Sequence, residues 1–379
     1  MNLGIDASNI RGGGTVTHLV ELLRVVNPSD HGFARVIVWG GRSTLAQIQD
    51  RPWLQKVQEP LLNRSLPMRL YWQQFKLARL ARLAKCNVLF VPGGLYLGGF
   101  RPFVTMSQNM LPFEPAEIRR YKFSFSTLRL LLLRWGQAFT FRRARGLICL
   151  TKYAADMILS VKEELSAVAG RIIPHGINPQ FFLVPRTQKN LNSYSFERPF
   201  RLLYVSSVDM YKHQWHVIEA VAGIRSDKYP VCLDLVGGAF PAGKTQLEGS
   251  IRKFDPLGKF VRYQGALVYP EIFNAYHQAD AFIFASSCEN LPIILLEAMA
   301  SGLPIVCSNR GPMPEVLGEA GVYFNPEKPS EIADALKKLL DSPVLRSEKA
   351  GEAFQRAKGY SWGKCTQETF GFLNQVAVE

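Results

Sequence analysis

Short apolar, β-branched runs alternate with longer stretches of helical periodicity along the whole chain. In the first half the runs predict strands at 3–6, 36–39, 88–91, 103–106, 146–150 and 172–174. In the second they predict strands at 202–206, 231–236, 260–263, 281–285, 304–307 and 322–324. Strands separated by helices of about 10–15 residues imply parallel sheets with right-handed crossovers. The polar stretch 187–198 reads as an exposed linker that divides the series. The pattern therefore predicts an α/β chain with two doubly wound, Rossmann-like domains, 1–185 and 186–362, rather than a single barrel. Ligands of open parallel sheets bind beyond the carboxyl ends of the strands, so two facing sheets would place a site in the cleft between them.

Composition agrees with this. With 379 residues, 47% apolar and 20% charged, the chain suits two or three domains and is not a disordered one. The densest apolar run, Leu130–Leu133, is bounded by Arg129 and Arg134, far short of a membrane span. Asp6 falls where the apolar core of a signal peptide would begin. The six cysteines are scattered without a Cys-x-x-Cys, and four lie in apolar contexts, predicting buried free thiols and a reducing, cytoplasmic setting.

Charge changes the picture more. Residues 1–180 hold 24 Lys+Arg against 10 Asp+Glu, whereas residues 181–379 hold 21 of each, so the whole surplus of +14 sits in the first half. Such a field favours anionic partners. Two stretches carry it. Between Arg69 and Lys85 basic residues recur at Lys76, Arg79 and Arg82, interleaved with Leu77, Leu80 and Leu83. Between Arg119 and Arg145 eight basic residues mix with Phe123, Phe125, Trp135, Phe139 and Phe141. Basic amphipathic helices with aromatics suit an anionic membrane interface, and the expectation is a peripheral contact with the inner leaflet; two packed helices with solvated basic faces are the plainer alternative. No nucleic-acid reader motif occurs, so nucleic acid is not an expected partner.

The strongest chemical signal is the segment 286–302. A buried strand ends in small polar residues, then Glu289 and Asn290, then a helix with Pro292 in its first turn. The free amides of Leu291, Ile293 and Ile294 make an anion site at the helix start. Glu289 precedes the helix, and Glu297 lies more than a turn inside it among Leu296, Ala298 and Met299. A buried acid needs a partner, and a sugar diol, which donates twice to one carboxylate, is such a partner; a structural carboxylate is the alternative. After the first strand of the second half comes Lys212, a point charge able to neutralise a diphosphate. His213 and His216 are three apart without a third ligand, so no metal is expected. Gly12, Gly13 and Gly14 follow the first strand and permit close approach of a ligand, without the G-x-G-x-x-G fingerprint. His175 follows a strand near the domain junction, either facing the cleft or satisfied within the junction.

These residues resemble a known family, the retaining glycosyltransferases of the GT-B fold, GT4 in particular. The resemblance rests on Glu289-x7-Glu297 in ENLPIILLEAMASG, on LPIVCSNRGPMPEVL (303–317), IIPHGINPQFF (172–182), LLYVSSVDMYKH (202–213) and YHQADAFIFASS (276–287). The closing YSWGKC (360–365) resembles the start of the helix, about 363–379, that in this fold packs back on the first domain. The resemblance implies a nucleotide-diphosphate-sugar donor in the second domain. Glu297 would bind the ribose, Glu289 the hydroxyls of the transferred sugar, and Lys212 with the amides after Asn290 the diphosphate. The base would lie near Gly265, Ala266 and Leu267. Gly13 and Gly14 would approach the donor phosphates, and the first domain would take a saccharide or lipid-linked acceptor, as in polysaccharide or glycolipid synthesis.

Two departures stand out. Where the family usually has an Arg five residues before the Lys, this chain has Ser207, which leaves more of the diphosphate's charge to Lys212 and the helix amides. Where many members have a His-Asp pair after the fourth strand of the first domain, this chain has Gln108 and Asn109, amides that can orient a hydroxyl but not take its proton. No Asp-x-Asp is present to hold a divalent metal, and metal-independent transfer without a cofactor is expected. A nucleotide-sugar epimerase of related fold and a non-enzymatic anionic-surface binder are the rival readings.

Overall fold

The computed structural model describes residues 1–161 and 169–379. The chain divides into two units. One comprises Met1–Ile118, Lys122–Gly176 and Ser361–Glu379; the other comprises Arg119–Tyr121 and Ile177–Tyr360. Both are doubly wound α/β layers, as the alternation of strand and helix periods predicts.

The first unit holds seven parallel strands: β1 (Asn2–Ala7), β2 (Arg35–Gly40), β3 (Leu54–Gln58), β4 (Val88–Val91), β5 (Phe103–Met106), β6 (Gly146–Cys149) and β7 (Ala169–Ile172). Their order is β3-β2-β1-β4-β5-β6-β7. The central strands are buried on both faces, which is why their sequences are continuous apolar runs instead of alternating ones. Two features differ from the sequence reading. β3 escapes it because LQKVQ carries only Leu54 and Val57, as suits an edge strand that is partly exposed. β7 lies just before the predicted 172–174, on an exposed edge with the sequence AGRI. The division between units falls at Gly176, ahead of the polar linker, and the helix Trp362–Val378 belongs to the first unit. There Phe370 packs edge-on against Phe33, and Phe372 lies where a side chain on Gly146 would have to go.

The basic stretch at 69–85 forms two helices, Leu66–Phe75 and Leu77–Leu83, parted at Lys76. Trp72, Leu77, Ala78 and Ala81 are buried, while Lys76, Arg79, Arg82 and Lys85 are exposed.

The second unit holds six parallel strands: β8 (Phe200–Val205), β9 (Val231–Val236), β10 (Val261–Tyr263), β11 (Ala281–Phe284), β12 (Ile305–Ser308) and β13 (Gly321–Phe324), in the order β10-β9-β8-β11-β12-β13. Strand order reverses between β8 and β11, which pair directly, Ala281 against Leu202. The stretch 187–198 is mostly exposed, and Arg346 ties it down by donating to the Lys189 carbonyl at 2.5 Å and to Gln188 Oε1 at 3.2 Å. All six cysteines are free; five are buried and Cys86 is half-buried. Among the described residues no helix is long and apolar enough to cross a membrane.

Candidate active site

The reversal of strand order between β8 and β11 opens a crevice at their carboxyl ends, because the connections leave in opposite directions. Two loops meet there. The loop after β8 runs 206–213 into the helix Gln214–Ser226, and the loop after β11 runs 285–292 into the helix Ile293–Ala300. They are laced together. Ser287 N–H donates to the Tyr211 carbonyl at 2.8 Å, and the His213 and Ser287 side chains share a hydrogen bond of 2.9 Å. His213 caps its helix with φ of 52°, a left-handed conformation that the side-chain bond to Ser287 helps hold. Burial pushes its imidazole down to about 3, and the positive charges of Arg120 and Arg310 act in the same direction.

The lacing brings Lys212 to Glu289. The ammonium bonds the Glu289 carboxylate directly, both side chains are mostly buried, and the Lys212 ammonium also lies 4.9 Å from the centre of the Tyr211 ring. Two residues separated by 77 positions are thus an ion pair at the crevice. Beside them starts the helix Ile293–Ala300, with Pro292 immediately ahead of it rather than inside its first turn. Its regular bonding begins with Leu295 N–H to the Pro292 carbonyl at 3.0 Å, so the amides of Leu291, Ile293 and Ile294 are the ones a helix leaves for an outside acceptor. Asn290 and Leu291 are buried.

Glu297 is on the same helix, buried, and accepts from the Tyr276 hydroxyl at 3.2 Å. Burial pushes its carboxyl up to about 8, and the Tyr276 bond only partly opposes this. Tyr276 is the partner that sequence reasoning missed: it lies in a separate helix, and nothing in its spacing points to Glu297. Arg120 and Arg310 were missed for the same reason. Arg120 belongs to the three-residue segment of the second unit and pairs with Glu327.

Ser207 is exposed, and its carbonyl accepts from Gln214 Nε2 at 3.1 Å. Gly265 follows β10 with φ of 68°, and its carbonyl accepts from Gly237 N–H at 2.7 Å; Ala266 is exposed beside it. Gly237, with φ of 138°, tolerates no side chain, since an added Cβ would lie 2.0 Å from the Ser206 carbonyl oxygen. The turns after β8, β9 and β10 are therefore locked into one rim.

In the first unit the reversal lies between β1 and β4. Gly13, with φ of 64°, caps the helix Gly14–Val25, and nothing stands within 4 Å of where a Cβ on Gly12 or Gly13 would be. After β5, Gln108 is half-buried against the Met106 sulfur, and the exposed Asn109 accepts from Leu111 N–H at 3.1 Å. The His175 ring is buried, its Nδ1 lies 2.9 Å from Nδ1 of the buried His18, and Trp362 packs against both. Burial drives both imidazoles down, His18 to about 4, so the pair is neutral and one ring donates to the other. Among the described residues no three His, Cys, Asp or Glu side chains gather as metal ligands.

Residues 187–357 match the family model described as glycosyl transferases group 1. The O-antigen chain mannosyltransferase B of Escherichia coli is 32% identical over 110 residues, 29% of this chain and 29% of that protein. The chain thus matches well under half the length of that relative. Among solved structures, the sucrose-phosphate synthase of Thermosynechococcus elongatus superposes with a TM-score of 0.76 at 16% identity, over 99% of this chain and 98% of that one. The Anabaena protein HepE in complex with UDP gives 0.70 at 18% identity, over 99% of each. At these identities the structural likeness is one of fold, the GT-B arrangement of two parallel-sheet units.

Proposed function

We propose that this chain, whose residues 187–357 match the family model of the glycosyl transferases group 1, moves a sugar from a nucleotide-diphosphate-sugar to a saccharide or lipid-linked acceptor. The observation that carries this reading is the meeting of Lys212, Glu289 and the start of the helix Ile293–Ala300 at one crevice.

In the reaction the bond from the sugar's anomeric carbon to the β-phosphate oxygen breaks, and negative charge grows on the diphosphate. Stabilising that charge is the main service a protein can render here. Lys212 and the amides of Leu291, Ile293 and Ile294 are the groups assigned to it. Lys212 is paired with Glu289, so the donor takes over a cation that is already held in place. Glu289, relieved of its partner, accepts from the hydroxyls of the transferred sugar, and Glu297 takes the ribose diol.

The acceptor belongs to the first unit, where Gln108 and Asn109 orient its hydroxyl. Neither amide can remove a proton, so the acceptor's proton passes to the leaving phosphate as the new bond forms on the same face of the sugar. Retention of configuration is what the resemblance to the retaining GT-B glycosyltransferases implies. No metal is assigned a part, since Lys212 and the helix amides supply the positive potential.

The test is to incubate the protein with UDP-, GDP-, ADP- and dTDP-sugars and measure release of nucleoside diphosphate with and without saccharide acceptors. Release from one donor, accelerated by an acceptor and unaffected by chelators, is expected. No release from any donor overturns the enzymatic reading, and loss on chelation with rescue by magnesium or manganese overturns metal independence.

A further inference from the structure

The helix Phe125–Arg143 of the first unit buries one face and leaves the other uncovered. Leu130, Gln137, Ala138 and Phe141 are buried. On the opposite side Phe125, Leu128, Leu132 and Trp135 recur at the three-and-four spacing of a single face, and all are exposed, Phe125 by 81% and Trp135 by 66%. Phe123, just ahead of the helix, is fully exposed. Trp135 stacks on Phe139 at 5.8 Å, and the Arg143 guanidinium covers Phe139 at 4.8 Å. So large an uncovered apolar patch, rimmed by polar groups, marks an interaction surface.

A second helix of the first unit also leaves large apolar side chains exposed. Right-handed crossovers put the helix Leu66–Phe75 and the helix Phe125–Arg143 on the same side of the sheet. Both touch the segment 95–96: Gln73 Nε2 donates to the Leu95 carbonyl at 2.9 Å, and Thr140 Oγ1 to the Tyr96 carbonyl at 3.1 Å. The former helix adds Met68, Tyr71 and Phe75, all exposed. Around these residues lie the exposed Lys76, Arg79, Lys122 and Arg129.

We infer that this face seats the first unit on an anionic bilayer, with the aromatic and leucine side chains at the headgroup boundary and the arginines and lysines reaching the lipid phosphates. Charge selects this occupant. The first half of the chain carries the entire surplus of +14, so a second copy docked face to face would set like charges against one another, whereas an anionic surface complements them. Trp, Phe and Tyr are also the residues an interface prefers, since their rings lie half in hydrocarbon. This inference does not depend on the donor chemistry.

The test is flotation of the whole chain with vesicles of phosphatidylcholine alone and of phosphatidylcholine mixed equally with phosphatidylglycerol. Binding to the anionic vesicles only is expected, falling several-fold between about 0.1 M and about 0.5 M salt. The variant F125S/L132S/W135S lowers that binding about tenfold or more, and R129E lowers it less. Because these side chains are exposed, the variants keep the wild-type melting temperature, and a control, L257S/V344S on the second unit, binds as wild type does. Equal binding to both vesicles, no binding to either, or undiminished binding by the triple variant overturns the inference. So does a wild-type dimer in solution that the triple variant turns into a monomer, which would assign the face to a second copy.

Discussion

The two units share a sheet plan and differ in where they keep charge. The second has no net charge in its sequence half, yet it buries an ion pair, Lys212 with Glu289, and a second acid, Glu297, in the loops and helix beside one reversal of strand order. The first half of the chain carries the whole surplus, and the first unit keeps much of it at exposed positions on or beside its helices, such as Lys76, Arg79, Lys122 and Arg129. At its own reversal stand glycines and one buried acid, Asp6, held by Ser8 N–H at 2.9 Å and by Gln73 at 2.5 Å. Burial raises the Asp6 carboxyl and these bonds hold it back. Buried charge is costly unless it is matched, and Lys212 and Glu289 match each other. Exposed charge costs little and acts at a distance. On the two proposals above, one plan would serve recognition at atomic contact in one unit and attraction to a surface in the other.

The largest effects should come from breaking the pair. Lys212→Met is expected to lower kcat/KM about 10²–10³-fold. Glu289→Gln is expected to abolish transfer similarly and also to destabilise the fold by about 3–5 kcal/mol, because it strands a buried ammonium. K212M/E289M should recover most of that stability and none of the activity, a separation that chemical denaturation beside a transfer assay will detect.

Glu297 comes next. Its folded carboxyl lies near 8 against an ordinary 4.5, so between those values the folded chain holds a proton that the unfolded chain releases. The stabilising proton is fully in place below 4.5 and is lost as pH rises through 8. Wild type should therefore lose melting temperature across that window, and Glu297→Gln, which cannot ionise, should lose less. The same variant should bind the nucleoside diphosphate about tenfold more weakly, separating stability from recognition.

Gln108→Ala and Asn109→Ala in the first unit sharpen the contrast from the other side: transfer should slow about tenfold while the nucleoside diphosphate binds as tightly as before. The smallest effect has the opposite sign. Ser207→Arg adds a cation at an exposed position, and binding should tighten a few-fold, most visibly at low salt.

Much of this was legible in the chain. Buried parallel strands read as unbroken apolar runs, so eleven of the predicted strands overlap observed ones closely, whereas the edge strands β3 and β7, with few apolar residues, were missed or misplaced. Glu289 and Lys212 were legible as residues of turns after strands, and Glu297 as an acid inside an otherwise apolar helix. Their pairing was not, because the contact joins loops far apart in sequence through the bonds of Ser287 and His213. Tyr276 was invisible for that reason too. His175 was ambiguous until its partner His18, also distant in sequence, was placed beside it. The break at Lys76 was hidden by a spacing of three that continues across it.

The central claim is that the crevice between β8 and β11 grips a nucleoside diphosphate through Lys212. It is tested most directly by thermal shift of wild type and K212M with UDP, GDP, ADP and dTDP, each read against its own unliganded melting temperature. The account predicts that one nucleotide at about 1 mM raises wild type by several degrees and leaves K212M unmoved. An equal rise in both proteins, or none in wild type with any of the four, would contradict it.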